Sequence, residues 1–460
     1  MLPSRRGHFP AIRVLGALVA FVFVYTSLSR VFHGSRSRNA PVSLSPLRFG
    51  SNDTAHRPCP YIPGLDDVLV VMKTGSSEAD TKLPWHFSTT FRCVPHHFIV
   101  SDLEESIQGY DLHDALRDVS PAIRKDVPEM ELYNNLREHG RKALDDYDFT
   151  KYTQSKQAKK DGRENPAHKL DKWKFLPMAH QAYQHRPAAK WYVFMEADTY
   201  LSWSNVMKWL NNFDASKPQY LGSQMQIGET IFAFGGTGFA ISNPAMKELV
   251  DYRSRHLGDL EEYTKNGWAG DEILGHVLGD MGVKLVWGYP NSQMSLPQEL
   301  SYTEAEYDKR LWCYAPIGWH RVDSEDIDAL YSFDLTFNHN KSLLLHSDMF
   351  NQYVLPQIEA APERDDWENL AEEVHGIGPD SPHVRTAAAC RSLCMKDKNC
   401  KQYTYGHGIC RTSSSVRLGE PVARSSPQLW LPTHSGWIVN RVRAFSKKMP
   451  ACREGPWVLS

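Results

Sequence analysis

The chain has 460 residues, of which 41% are hydrophobic, enough for a catalytic domain of a few hundred residues plus an accessory module. A formal net charge of -2 argues against nucleic acid as the main partner, because phosphate binding needs a basic surface. The 13 Trp and 20 Tyr suit sugar handling, where flat rings stack on apolar sugar faces, and equally suit ordinary core filling.

Arg5, Arg6 and Arg13 precede an apolar run from Val14 to Val24, extended by Tyr25, Thr26, Ser27 and Leu28. The run is short for a spanning helix, which needs about 17–25 residues. The arginines before it favour a cytosolic N-terminus, while Arg30, Arg36 and Arg38 on the other flank weaken that vote. The expectation is a cytosolic tail over 1–13 and a single-pass signal anchor over 14–30, with a cleaved signal peptide as the alternative. Residues 31–60 follow, rich in Ser, Arg, Pro and Gly over most of their length, and read as a flexible stem. Eight cysteines fit an oxidising compartment. The sequons Asn52-Asp53-Thr54 and Asn340-Lys341-Ser342 agree with a lumenal chain.

Order begins with Val68-Leu69-Val70-Val71-Met72, a buried-strand pattern ending in Lys73-Thr74-Gly75. His97-Phe98-Ile99-Val100 predicts a second strand, closed by Ser101-Asp102. A charged, mostly helical stretch is expected from about 111 to 185, interrupted around Lys159 to Pro166; its back half carries Trp173, Leu176, Ala179, His180 and Tyr183 at helical spacing. Trp191-Tyr192-Val193-Phe194-Met195 is β-prone, and Ser204 is placed to cap a helix bearing Val206, Met207, Leu210 and Phe213. Alternating strands and helices predict an α/β sandwich. The texture changes near Ala360, which puts a catalytic domain over 61–358 and a cysteine-rich region over 359–460. The competing reading packs that tail onto the catalytic domain.

Four segments carry candidate chemistry. The strand 191–195 delivers Glu196 and Asp198 on alternate residues, so both can face one site. Hard divalent cations take such oxygen ligands and leave positions open for phosphate. Phe234-Gly235-Gly236-Thr237-Gly238 leads into a small apolar strand; its glycines allow close backbone approach to a ligand, or simply make a tight turn. It lacks the Lys-Ser/Thr of a P-loop. In Gly270-Asp271-Glu272, Asp271 is a candidate general base for an acceptor hydroxyl, with Glu272 its competitor and a simple helix cap the bland alternative. Ile273, Leu274, Val277, Leu278 and Met281 form one face of the helix that follows. His320, in Trp319-His320-Arg321, can complete a metal shell begun by carboxylates.

The order of these segments resembles the Fringe and core 1 β1,3-galactosyltransferase group of glycosyltransferase family 31, over roughly residues 65–350. The resemblance rests on Glu196-Ala197-Asp198-Thr199-Tyr200, Gly235-Gly236-Thr237-Gly238, Gly270-Asp271-Glu272 and Trp319-His320, with Lys73-Thr74 at the end of the first strand. It implies a GT-A fold, which is Rossmann-like α/β, and inverting transfer of a sugar from a UDP-sugar to a glycan or glycoprotein acceptor through a β1,3 linkage. It also implies Mn²⁺ held by Asp198 and His320, Asp271 as base, and Lys73, Thr74, Glu196, Gly235, Gly236, Gly238 and Glu272 around the substrates. The family's usual Asp-Asp-Asp turn reads Glu-Ala-Asp here, so Glu196 must reach farther. The implied setting is the Golgi membrane, type II, with the catalytic domain lumenal. A catalytically inactive relative acting as a lumenal chaperone or glycan-binding protein is the alternative. The tail cysteines Cys390, Cys394, Cys400 and Cys410 resemble a PAN/apple-like module. Spacing does not fix the pairing; the expectation is Cys390–Cys410 around Cys394–Cys400, with Cys59–Cys93 in the catalytic domain, and zinc is the disfavoured rival.

Overall fold

The computed structural model describes residues 58–147, 149, 165–306, 308–337, 339, 342–375, 384–422, 432–452 and 455–459. The expected tail, anchor and nearly all of the stem, 1–57, lie outside the described residues, as do Asn52 and Asn340 of the two sequons. Among the described residues no helix is long and apolar enough to cross a membrane.

The frame is a mixed eight-stranded sheet, ordered β11-β7-β10-β5-β1-β2-β4-β3. Its strands are β1 (Val68–Lys73), β2 (His97–Ser101), β3 (Glu105–Ile107), β4 (Tyr110–Asp114), β5 (Trp191–Glu196), β7 (Tyr220–Gly222), β10 (Phe239–Ser242) and β11 (Leu285–Trp287). β6 (Thr199–Leu201), β8 (Gln224–Ile227), β9 (Thr230–Ala233) and β12 (Ser292–Gln293) belong to smaller sheets. β1 pairs in parallel with both β2 and β5. Its six residues are all buried, which is why Val68 to Met72 reads as a continuous apolar run rather than an alternation. Leu69, Val71, Tyr192 and Phe194 face one core; Val68, Val70, Met72, Val193 and Met195 face another. Helices Pro166–His185 and Gly270–Asp280 cover the first of these faces with Phe175, Ala179, Ile273 and Val277.

Two local expectations change. Tyr110–Asp114 is a strand, not the start of a helix. Leu112 is fully buried between exposed Asp111 and half-buried His113 and pairs with Ile99, so a place in the sheet overrides helical propensity. The helix after β6 is Trp203–Leu210, and Ser202 rather than Ser204 precedes it. The Ser202 hydroxyl donates to Asp334 at 3.0 Å instead of capping the helix. In the tail, the strands Glu363–Asp365, His434–Trp437, Gln402–Gly406, Ile409–Ser413 and Glu373–His375 form a five-stranded sheet. Val416, Leu418, Trp437 and Val442 of the tail share one core with Tyr200, Trp312 and Trp319. All eight cysteines are in disulfides: Cys59–Cys93, Cys390–Cys410, Cys394–Cys400 and Cys313–Cys452. The first three are the expected pairs, Cys313–Cys452 is a further one, and none leaves a thiolate for zinc.

Candidate active site

β1 and β5 are parallel neighbours, so their carboxyl ends lie side by side at the edge where open α/β sheets usually take ligands. The register sets Lys73 opposite Glu196, and their side chains pair at 3.3 Å. After β5 the chain turns through Ala197, and β6 returns. β6 pairs with the strand Gly318–His320, which sets Thr199 opposite His320. Asp198 and His320 are therefore brought together by strand pairing across more than a hundred residues. His320 Nε2 lies 3.5 Å from Asp198 Oδ1.

Glu196, Asp198 and His320 each offer a ligand atom within 4.8 Å of the others. Two carboxylate oxygens and an imidazole nitrogen are a set that a divalent ion such as Mn²⁺ accepts. His320 Nδ1 is buried with no hydrogen-bond partner, so packing and the Nε2 contact with Asp198 place the ring. The ring meets the edge of Phe234 at a centroid distance of 5.3 Å. Burial opposes charge on Asp198, but His320, Lys82 and Lys73 hold its carboxyl well below the usual range. Lys82 lies 3.5 Å from Asp198 and 2.8 Å from Glu78 on its own helix. It can yield Asp198 to a cation and keep a carboxylate partner.

The glycine segment is a 3-10 turn over Gly235–Thr237 that hands the chain to β10. It is tied to the acidic turn, because the Thr199 hydroxyl donates to the Gly236 carbonyl at 2.7 Å. A Cβ on Gly236 would overlap the His320 ring, and one on Gly235 would lie 3.1 Å from Glu196 Oε1 and from Phe175. Gly238 has φ +75°, a left-handed conformation that glycine adopts without strain. Gly236→Ala should therefore tilt His320 and weaken Mn²⁺ binding at the cluster about 10- to 100-fold in a calorimetric titration. Unchanged binding would show that the ring position is unimportant.

Asp271 lies in the first turn of its helix but does not cap it; Ala269 holds that position. Its carboxylate accepts the Gly235 N–H at 2.9 Å and the Glu272 N–H at 3.0 Å. Burial, with Glu196 nearby, outweighs these two donors and pushes the Asp271 carboxyl up to about 6, the range in which a carboxylate works as a base. Glu272 points elsewhere and accepts from the Tyr263 hydroxyl at 3.0 Å. The structure thus joins Lys73, Glu196, Asp198, Gly235, Gly236, Asp271 and His320 into one site. Thr74 sits at its edge, with its hydroxyl buried and lacking a hydrogen-bond partner. Gly238 shapes the turn, and Glu272 stands beside Asp271.

The sequence did not reveal the charges behind the site. Lys174 and Asp102 are fully buried and pair at 3.3 Å. Asp171 lies 3.2 Å from Lys174 and 3.4 Å from Lys73. Lys174 also donates to the Thr74 carbonyl at 2.9 Å, and Asp102 accepts the Ser76 N–H at 2.7 Å. This chain of charges fixes the β1 terminus, and removing Lys174 leaves the buried Asp102 without a cation at a cost of roughly 3–5 kcal/mol. The only hint in sequence is the i, i+3 spacing of Asp171 and Lys174. His86 braces the acidic turn from behind, 3.0 Å from the Ala197 carbonyl, and burial lowers it to about 4, so it is neutral there.

Residues 64–289 match the family model described as Fringe-like. The strand carrying His320 and the cysteine-rich tail lie beyond that match. A search of the curated proteins finds none that matches the chain.

Proposed function

Taking the chain as a protein with a Fringe-like glycosyltransferase domain, we propose that it is a metal-dependent, inverting enzyme. It moves a sugar from a UDP-sugar to a glycan or glycoprotein acceptor, forming a β1,3 linkage. One observation carries the reading. A buried carboxylate with its pKa raised to about 6 adjoins a carboxylate–histidine cluster across a glycine turn. The two halves match the two needs of the reaction, a base at the acceptor and a cation at the leaving group.

Asp198 and His320, with Glu196, would hold Mn²⁺, which when bound neutralises charge gathering on the departing UDP. Asp271 takes the proton of the acceptor hydroxyl as its oxygen attacks C1 from the face opposite UDP. The bond from C1 to the diphosphate breaks, and UDP leaves with its electron pair. Lys73 and Thr74 border the nucleotide, and Gly235–Gly238 let backbone approach the sugar. Asp198, Asp271 and His320 are all present, which supports an enzyme over an inactive chaperone-like relative. The disulfides support an oxidising lumen. We place the domain in the Golgi lumen behind a type II anchor over 14–30.

The test is product analysis. The purified full-length chain with Mn²⁺, a panel of UDP-sugars and candidate acceptor glycans should give one new β1,3 linkage by NMR. An α-linked product would overturn inversion, and turnover of no UDP-sugar would overturn the enzyme reading.

A further inference from the structure

Arg321 follows His320 with φ +65°, in the left-handed region that residues other than glycine rarely adopt. Such strain persists only where the surroundings over-determine it, and it gathers at functional sites. Here the residues on both sides are clamped to Asp198. His320 Nε2 is 3.5 Å from Asp198 Oδ1, and the Val322 N–H donates to the Asp198 carbonyl at 3.1 Å. Arg321 is therefore a one-residue kink pinned on the Asp198 turn. Its side chain is exposed, so burial does not account for a strained arginine where glycine would sit freely.

Charge accounting sets Arg321 apart from its neighbours. Lys73 is paired with Glu196 and Asp171. Lys82 is paired with Glu78 and Asp198. Among the described residues, no carboxylate lies within ion-pair distance of Arg321. A nucleoside diphosphate leaving group carries about three negative charges, and a divalent ion shared with two carboxylates neutralises only part of them. A guanidinium binds two phosphate oxygens at once through its planar fork.

Resting on the UDP-sugar reading above, we propose that Arg321 binds the donor diphosphate beside the Glu196–Asp198–His320 cluster and stabilises the departing nucleotide. No bond is made or broken at Arg321. Its positive charge meets the electron pair that the diphosphate retains.

The experiment is calorimetric titration of the full-length chain with UDP and with UMP in Mn²⁺, for wild type, Arg321→Gly and Arg321→Lys. Glycine relieves the left-handed strain, so Arg321→Gly should melt no lower than wild type. UDP affinity should fall about tenfold in Arg321→Gly and less in Arg321→Lys, while UMP affinity changes little, so the preference for UDP over UMP collapses. An unchanged preference would overturn the proposal and leave the donor assignment standing. Failure of the wild type to bind UDP would overturn both.

Discussion

Asp271→Asn should lower transfer about 1,000-fold, because the change removes the base, while the amide oxygen can still accept the Gly235 N–H though not the Glu272 N–H as well. UDP binding with Mn²⁺ should stay near wild type, since Asp271 touches the cluster only through the Gly235 turn. The raised pKa gives a second signature. Burial disfavours the charged form, so the base form of Asp271 is populated only above about 6. In the wild type, kcat/KM should fall about tenfold per pH unit below that value and level off above about pH 7. A variant that keeps transfer would remove Asp271 from the chemistry. A wild-type profile that stays flat down to about pH 5 would contradict the buried base.

Asp198→Ala should be as severe, for a different reason. Loss of a metal ligand forfeits several kcal/mol of transition-state stabilisation, roughly 1,000-fold or more in rate. It should also abolish the Mn²⁺ dependence of UDP binding, which Asp271→Asn preserves. The two variants thus separate cation binding from proton transfer. Glu196→Ala should be milder, because Glu196 is tied to Lys73 at 3.3 Å and its removal leaves Asp198 and His320 in place. Equal losses in Glu196→Ala and Asp198→Ala would show that both are ligands of one rank.

The strands were legible because their two faces are both buried. Val68 to Met72 and Trp191 to Met195 are unbroken apolar runs, too short for a core helix and rich in β-branched and aromatic residues. Tyr110–Asp114 was not legible, because its strand identity comes from pairing with β2 and not from its own residues. The site residues stand in short motifs, but their meeting is not in the motifs. Asp198 and His320 meet only because β6 pairs with Gly318–His320. The Lys174–Asp102 pair is invisible in sequence, where isolated Lys and Asp look like surface charge, and only the fold takes them out of water. Glu196 likewise reads as a free ligand until the register puts Lys73 beside it.

The proposed sugar transfer from a nucleotide donor needs a cation at Glu196, Asp198 and His320. The decisive measurement is UDP release by the full-length chain from each UDP-sugar, after EDTA treatment and then with added Mn²⁺. The expected result is no release in EDTA, recovery with Mn²⁺ for at least one donor, and no recovery in Asp198→Ala. Release that persists in EDTA, or that Mn²⁺ restores equally in Asp198→Ala, would contradict a catalytic cation at this cluster.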